Sequence, residues 1–70
     1  MILVSEKLKA AIKLNRKPAY QIAWLAEINP NVLSKLINGI ERVRPNDPRI
    51  ISVGKVLGVA PEECFQEKSD

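Results

Sequence analysis

Seventy residues, 46% of them apolar but only 4% aromatic, suit one folded domain with an aliphatic core and argue against a disordered chain. Eleven Lys and Arg against eight Asp and Glu leave a net charge of +3, a mild bias toward a polyanionic partner. A single cysteine excludes a disulfide framework within the chain and fits a reducing, cytoplasmic setting; no apolar run is long enough to span a bilayer.

Met1-Ile2-Leu3-Val4 is too short for a signal peptide and is followed by charges. Ser5 is placed to cap a first helix whose apolar face is Leu8, Ala11 and Ile12, with Lys7, Lys9 and Lys13 largely off that stripe. The helix should stop before Lys17-Pro18, because a residue preceding proline resists the helical region. A second helix is expected from about Pro18 to Ala26. Glu27-Ile28-Asn29 reads as a turn, with Asn29 as N-cap and Pro30 as first residue of a third helix that runs to about Asn38 and is ended by Gly39.

Residues Ile40 to Asn46 form a loop carrying Arg42 and Arg44. Asp47-Pro48 repeats the cap-then-proline start, and a fourth helix follows with Ile50, Ile51, Val53, Val56 and Leu57 as its apolar stripe. Gly54 within it costs about 1 kcal/mol relative to alanine, or permits close helix packing. Gly58 closes this helix, and Val59 to Phe65 predicts a short fifth one, with Pro61 in its first turn. Gln66 to Asp70 is a polar tail expected to fray, so the single domain of residues 1–70 has its core over about 5–66 and its extreme tail at 67–70.

The segment Gln21 to Gly39 is the most informative. Ile22 and Ala26 lie one turn apart on the second helix, Leu33 and Leu36 about one turn apart on the third, and Ile28 plugs the corner. Ala23 is small enough for the two helices to cross closely. This is helix-turn-helix spacing, which in a small basic domain most often sets the second of the two helices in the DNA major groove.

With Ile22, Ala23, Ala26, Ile28, Leu33 and Leu36, then Asn38-Gly39, and finally Leu57-Gly58-Val59 leading to Phe65, the chain resembles the lambda-repressor-like domain of phage repressors, Cro proteins and related bacterial regulators (the Cro/C1-type or XRE family). The resemblance runs roughly from Leu8 to Phe65. It implies an all-α, compact five-helix domain with the helix-turn-helix at helices two and three. Three departures stand out. The family usually has glycine where this chain has Glu27, and a non-glycine with positive φ there costs about 1–2 kcal/mol. The family favours glutamine early in helix two, where Ala19 stands here. The loop after the third helix is a few residues longer than usual.

The resemblance also implies that the first turn of the third helix reads bases, through Pro30, Asn31, Val32 and Lys35, all four expected to be exposed. Asn31 suits the N6/N7 edge of adenine, Lys35 guanine O6/N7 and Val32 a thymine methyl, while Pro30 offers apolar contact alone. The plain alternatives are a solvated first-turn Asn31 and a surface or phosphate-bound Lys35. Phosphate contacts are expected from Asn29, Asn38, Arg42 and Arg44, together with the N–H groups that open helix two; Arg42 and Arg44 could instead be ordinary loop charges. Tyr20 and Trp24 share a face of helix two. Trp24 either covers a gap beside the first helix or the tail, or forms a protein-binding or dimer patch with Tyr20 and Leu25. Cys64 reads as a small buried hydrophobe.

The expected function is sequence-specific binding of double-stranded DNA as a transcriptional regulator of phage or bacterial repressor type. An enzyme is not expected: there is no histidine, no histidine or asparagine beside Cys64 to form a nucleophilic dyad, no glycine-rich phosphate loop and no metal-ligand spacing. A dimer on a two-fold symmetric operator is the expected arrangement, without cofactor, membrane or evident small-molecule ligand. The alternative is a protein-interaction module, antitoxin-like or otherwise partner-binding, that keeps the fold with weak or no DNA readout.

Overall fold

The computed structural model describes residues 2–67. Strand β1 (Ile2–Val4) leads into α1 (Glu6–Leu14), α2 (Ala19–Leu25), α3 (Pro30–Ile37) and α4 (Pro48–Leu57), then a single 3₁₀ turn (Pro61–Glu63) and strand β2 (Phe65–Glu67). The fold is mostly helical, with a small antiparallel two-stranded sheet that pairs Ile2 with Glu67, Leu3 with Gln66 and Val4 with Phe65.

Three of the expected start signals work through their side chains. Ser5 Oγ accepts from Leu8 N–H at 3.1 Å, Asn29 Oδ1 from Asn31 N–H at 2.8 Å, and Asp47 Oδ1 from Arg49 N–H at 3.1 Å. Pro18 is the N-cap of α2 rather than its first residue, and α2 has no side-chain cap. Asn15 ends α1, its Oδ1 accepting from Lys17 N–H at 2.9 Å.

Two expectations are corrected. The fifth helix is a three-residue 3₁₀ turn, because Pro61 contributes no N–H and the chain must straighten by Phe65 to enter the sheet. Gln66 and Glu67 belong to β2 rather than to a fraying tail; the remaining tail residues, 68–70, lie outside the described residues. Ser5 explains why the two ends meet. Its Oγ donates to Glu63 C=O at 2.6 Å and its N–H donates to Cys64 C=O at 2.9 Å, so one residue caps α1 and ties it to the C-terminal turn.

Leu8 and Ile12 of α1, Ile22 and Ala23 of α2, Leu33 and Leu36 of α3, and Ile50 and Val53 of α4 meet in one core, joined by Val4, Ala26, Val43, Val59 and Cys64. In the stripe expected on α4, Ile51 and Leu57 are only half-buried and Val56 is exposed. Gly54 serves the close-packing role: a Cβ there would overlap Cys64 Sγ and stand 2.9 Å from Val59 C=O. No helix among the described residues is long and apolar enough to cross a membrane.

Candidate nucleic-acid interface

Four residues, Ala26 to Asn29, separate α2 from α3. The turn is fixed by two backbone bonds: Glu27 N–H donates to Trp24 C=O at 3.0 Å and Ile28 N–H to Ala23 C=O at 2.9 Å. Between them Glu27 adopts φ 62°, the left-handed conformation. The same pair of bonds ends α3, where Gly39 N–H donates to Leu36 C=O and Ile40 N–H to Lys35 C=O. It also ends α4, where Gly58 N–H donates to Lys55 C=O and Val59 N–H to Gly54 C=O. Gly39 and Gly58 sit at φ 75° and 74°. Glu27 thus occupies a glycine's place in the turn that sets the angle between α2 and α3.

That angle leaves α3 two-sided. Leu33 and Leu36 are buried, while Asn31, Ser34, Lys35 and Asn38 are exposed. These four outward residues follow the three- and four-residue spacing of one helix face, and none is acidic. Among the expected base-reading residues, Asn31 and Lys35 face solvent with no side-chain hydrogen bond or ion pair among the described residues. Pro30 is half-buried, and Val32 is half-buried against the core, which limits how far either can project.

The expected phosphate-binding residues divide into two kinds. Asn29 spends its Oδ1 on the α3 cap, and Asn38 Nδ2 donates to Ser34 Oγ at 3.2 Å. Arg42 and Arg44 are exposed and have no acidic partner among the described residues. Between them Val43 is buried, so alternate residues of this stretch point in and out.

Sequence reasoning missed a second cationic group. Lys13, Arg16 and Lys17 line a cleft that Ile37 and Asn38 also line, so the end of α1 and its following bend share that cleft with the C-terminal end of α3. None of the three makes an ion pair among the described residues, although the Lys9–Glu6 pair lines the same cleft. The available signal was their clustering within five residues, with no acid nearby in sequence. Also unforeseen was the fixed role of Arg49. Its guanidinium grips the buried Asp47 carboxylate through Nε to Oδ1 at 3.0 Å and Nη2 to Oδ2 at 2.8 Å. This fork holds the Asp47 carboxyl below its ordinary pKa against the opposing cost of burial.

Tyr20, Trp24 and Leu25 are exposed on α2, Trp24 by 63%. Cys64 is fully buried, and burial pushes its thiol pKa up. Compared with known proteins, the chain matches no family description, no curated protein and no solved structure.

Proposed function

We propose that this chain is a sequence-specific, double-stranded DNA-binding regulator of the lambda-repressor-like kind, with α2 and α3 as its helix-turn-helix. The observation that carries this reading is the outer face of α3. It is polar and free of acids, its C-terminal end shares a cleft with Lys13, Arg16 and Lys17, and Arg42 and Arg44 follow it in sequence. The left-handed Glu27 supports it, because it stands where the resemblance calls for glycine. In this reading Asn31 and Lys35 read base edges, with Pro30 and Val32 adding short-range apolar contact. Arg42, Arg44 and the group at the end of α1 hold phosphates, with Asn29 and Asn38 as lesser contacts.

Two copies on a two-fold symmetric site would place their α3 helices about 34–36 Å apart, in successive major grooves, and act by occupying a promoter in the cytoplasm. No catalytic step is proposed. The test is titration of the purified chain with a mixed-sequence duplex at low and moderate salt. Binding that weakens steeply with salt supports the proposal.

A second reading is favoured by one observation, the exposure of Trp24 with Tyr20 and Leu25. A partner-binding module would use that patch and leave DNA alone. No duplex binding at low salt, together with a complex abolished by Trp24→Ala, would select this reading.

A further inference from the structure

Among the described residues, Arg49 is the one arginine near the α3–α4 loop with an acidic partner. Its fork to Asp47 closes one end of the loop, and its Nη1 lies 3.9 Å from Glu41 Oε1 at the other. Asp47 is 1% exposed and also accepts from Arg44 N–H at 3.3 Å, while its own N–H donates to Arg44 C=O at 3.1 Å. Arg44 to Asp47 is thus a closed turn, with Asn46 left-handed at φ 54°. Buried Val43 pins the loop's middle.

We infer that Asp47 and Arg49 are positioning residues: they staple the loop at both ends, so that Arg42 and Arg44 meet DNA phosphates from a fixed frame while Arg49 itself meets none. The inference rests on the DNA-binding reading above and deepens it. The Nε and Nη2 edge of the guanidinium is taken by a buried carboxylate and Nη1 lies toward Glu41, so turning Arg49 to a phosphate would strand that carboxylate. Arginines carried on a fixed backbone lose less loop entropy on binding than arginines on a loose loop.

Charge alone and positioning predict opposite signs for Asp47→Asn. Removing a negative charge from a DNA-facing loop should tighten binding on charge grounds. Positioning predicts the reverse: mixed-sequence duplex should bind about five-fold or more weakly, the size expected of coupled neighbouring groups. Binding is measured by fluorescence anisotropy on the full chain over a salt series, at a temperature where circular dichroism shows each variant folded.

The same substitution in an Arg42→Ala/Arg44→Ala background should cause no further weakening, because the groups it positions are gone. Arg49→Gln in that background should leave the salt slope unchanged, whereas a direct phosphate contact would lower it by about 0.9. A folded Asp47→Asn chain that binds as tightly as the parent, or more tightly, overturns the staple. So does a lower slope for Arg49→Gln in the doubly substituted background. A DNA-free readout separates the two levels: Asp47→Asn should reduce hydrogen-exchange protection at the Arg44 amide. Parent chain that ignores duplex at low salt, with that protection effect intact, overturns the DNA role while leaving the loop geometry standing.

Discussion

Glu27→Gly should stabilise the protein. Glu27 holds φ 62° in a helix stop built like those at Gly39 and Gly58, so the backbone already has a glycine's conformation. A side chain in this region costs about 1–2 kcal/mol, and the greater freedom that glycine loses on folding returns about 0.5–1 kcal/mol of that gain. The net expectation is about 0.5–1 kcal/mol in favour of the variant. Glu27 is exposed and has no ion pair among the described residues, so losing its carboxylate subtracts little. For a domain of this size the gain corresponds to a Tm rise of roughly 2–8 °C, and urea titration should move the midpoint without changing the slope. Two controls come from the same molecule. A Cβ at Gly39 or Gly58 meets nothing within 4 Å, so Gly39→Ala and Gly58→Ala should lose stability through backbone strain alone. Glu27→Ala keeps a Cβ and should gain nothing comparable. A clear stability loss in Glu27→Gly would refute the reasoning, because the turn would then depend on the glutamate side chain.

Other outcomes follow from the same structure. Gly54→Ala should destabilise despite alanine's helix preference of about 1 kcal/mol, because the new methyl collides with Cys64 and the Val59 carbonyl; chemical denaturation gives the sign. Asp47 has its pKa lowered in the fold, so its ionisation adds stability that is fully present above its unfolded value near 3.8 and is lost as pH falls through the lower folded value. The stability gap between the parent and Asp47→Asn, measured by denaturation from pH 7 downward, should therefore close in strong acid. Asn31→Ala and Lys35→Ala should each weaken binding to a preferred duplex by about 1–3 kcal/mol and relax its sequence preference in a competition assay. Arg44→Ala should weaken all duplexes alike and lower the log–log salt slope by about 0.9.

The helical frame was legible because its signals are local and redundant. Ser5, Asn29 and Asp47 each announce a helix within three residues, and the spacing of Ile22, Ala26, Leu33 and Leu36 places the faces that meet. The strands were not legible, since three-residue segments such as Ile2–Val4 carry too little alternation, and their pairing depends on contacts more than sixty residues apart. The fifth helix failed for a related reason: Pro61 and two acids signal a helix start, but the sheet takes over before a second turn can form.

At the candidate site, exposure of Asn31 and Lys35 followed from helix period alone, whereas the half-burial of Val32 depends on the core it meets. Arg49 lies outside the loop in sequence, and only the folded turn brings its guanidinium to both Asp47 and Glu41. Lys13, Arg16 and Lys17 share a cleft with Asn38 only once the chain is folded, a juxtaposition that no local pattern encodes.

Selection of preferred sequences from a random pool of duplex DNA tests the central claim most directly, run in parallel with the parent and an Asn31→Ala/Lys35→Ala variant. The parent should enrich a two-fold symmetric motif, and the folded variant should lose or change its preference. No enrichment by the folded parent, or the same motif from both proteins, would contradict the assignment of α3 as the element that reads DNA.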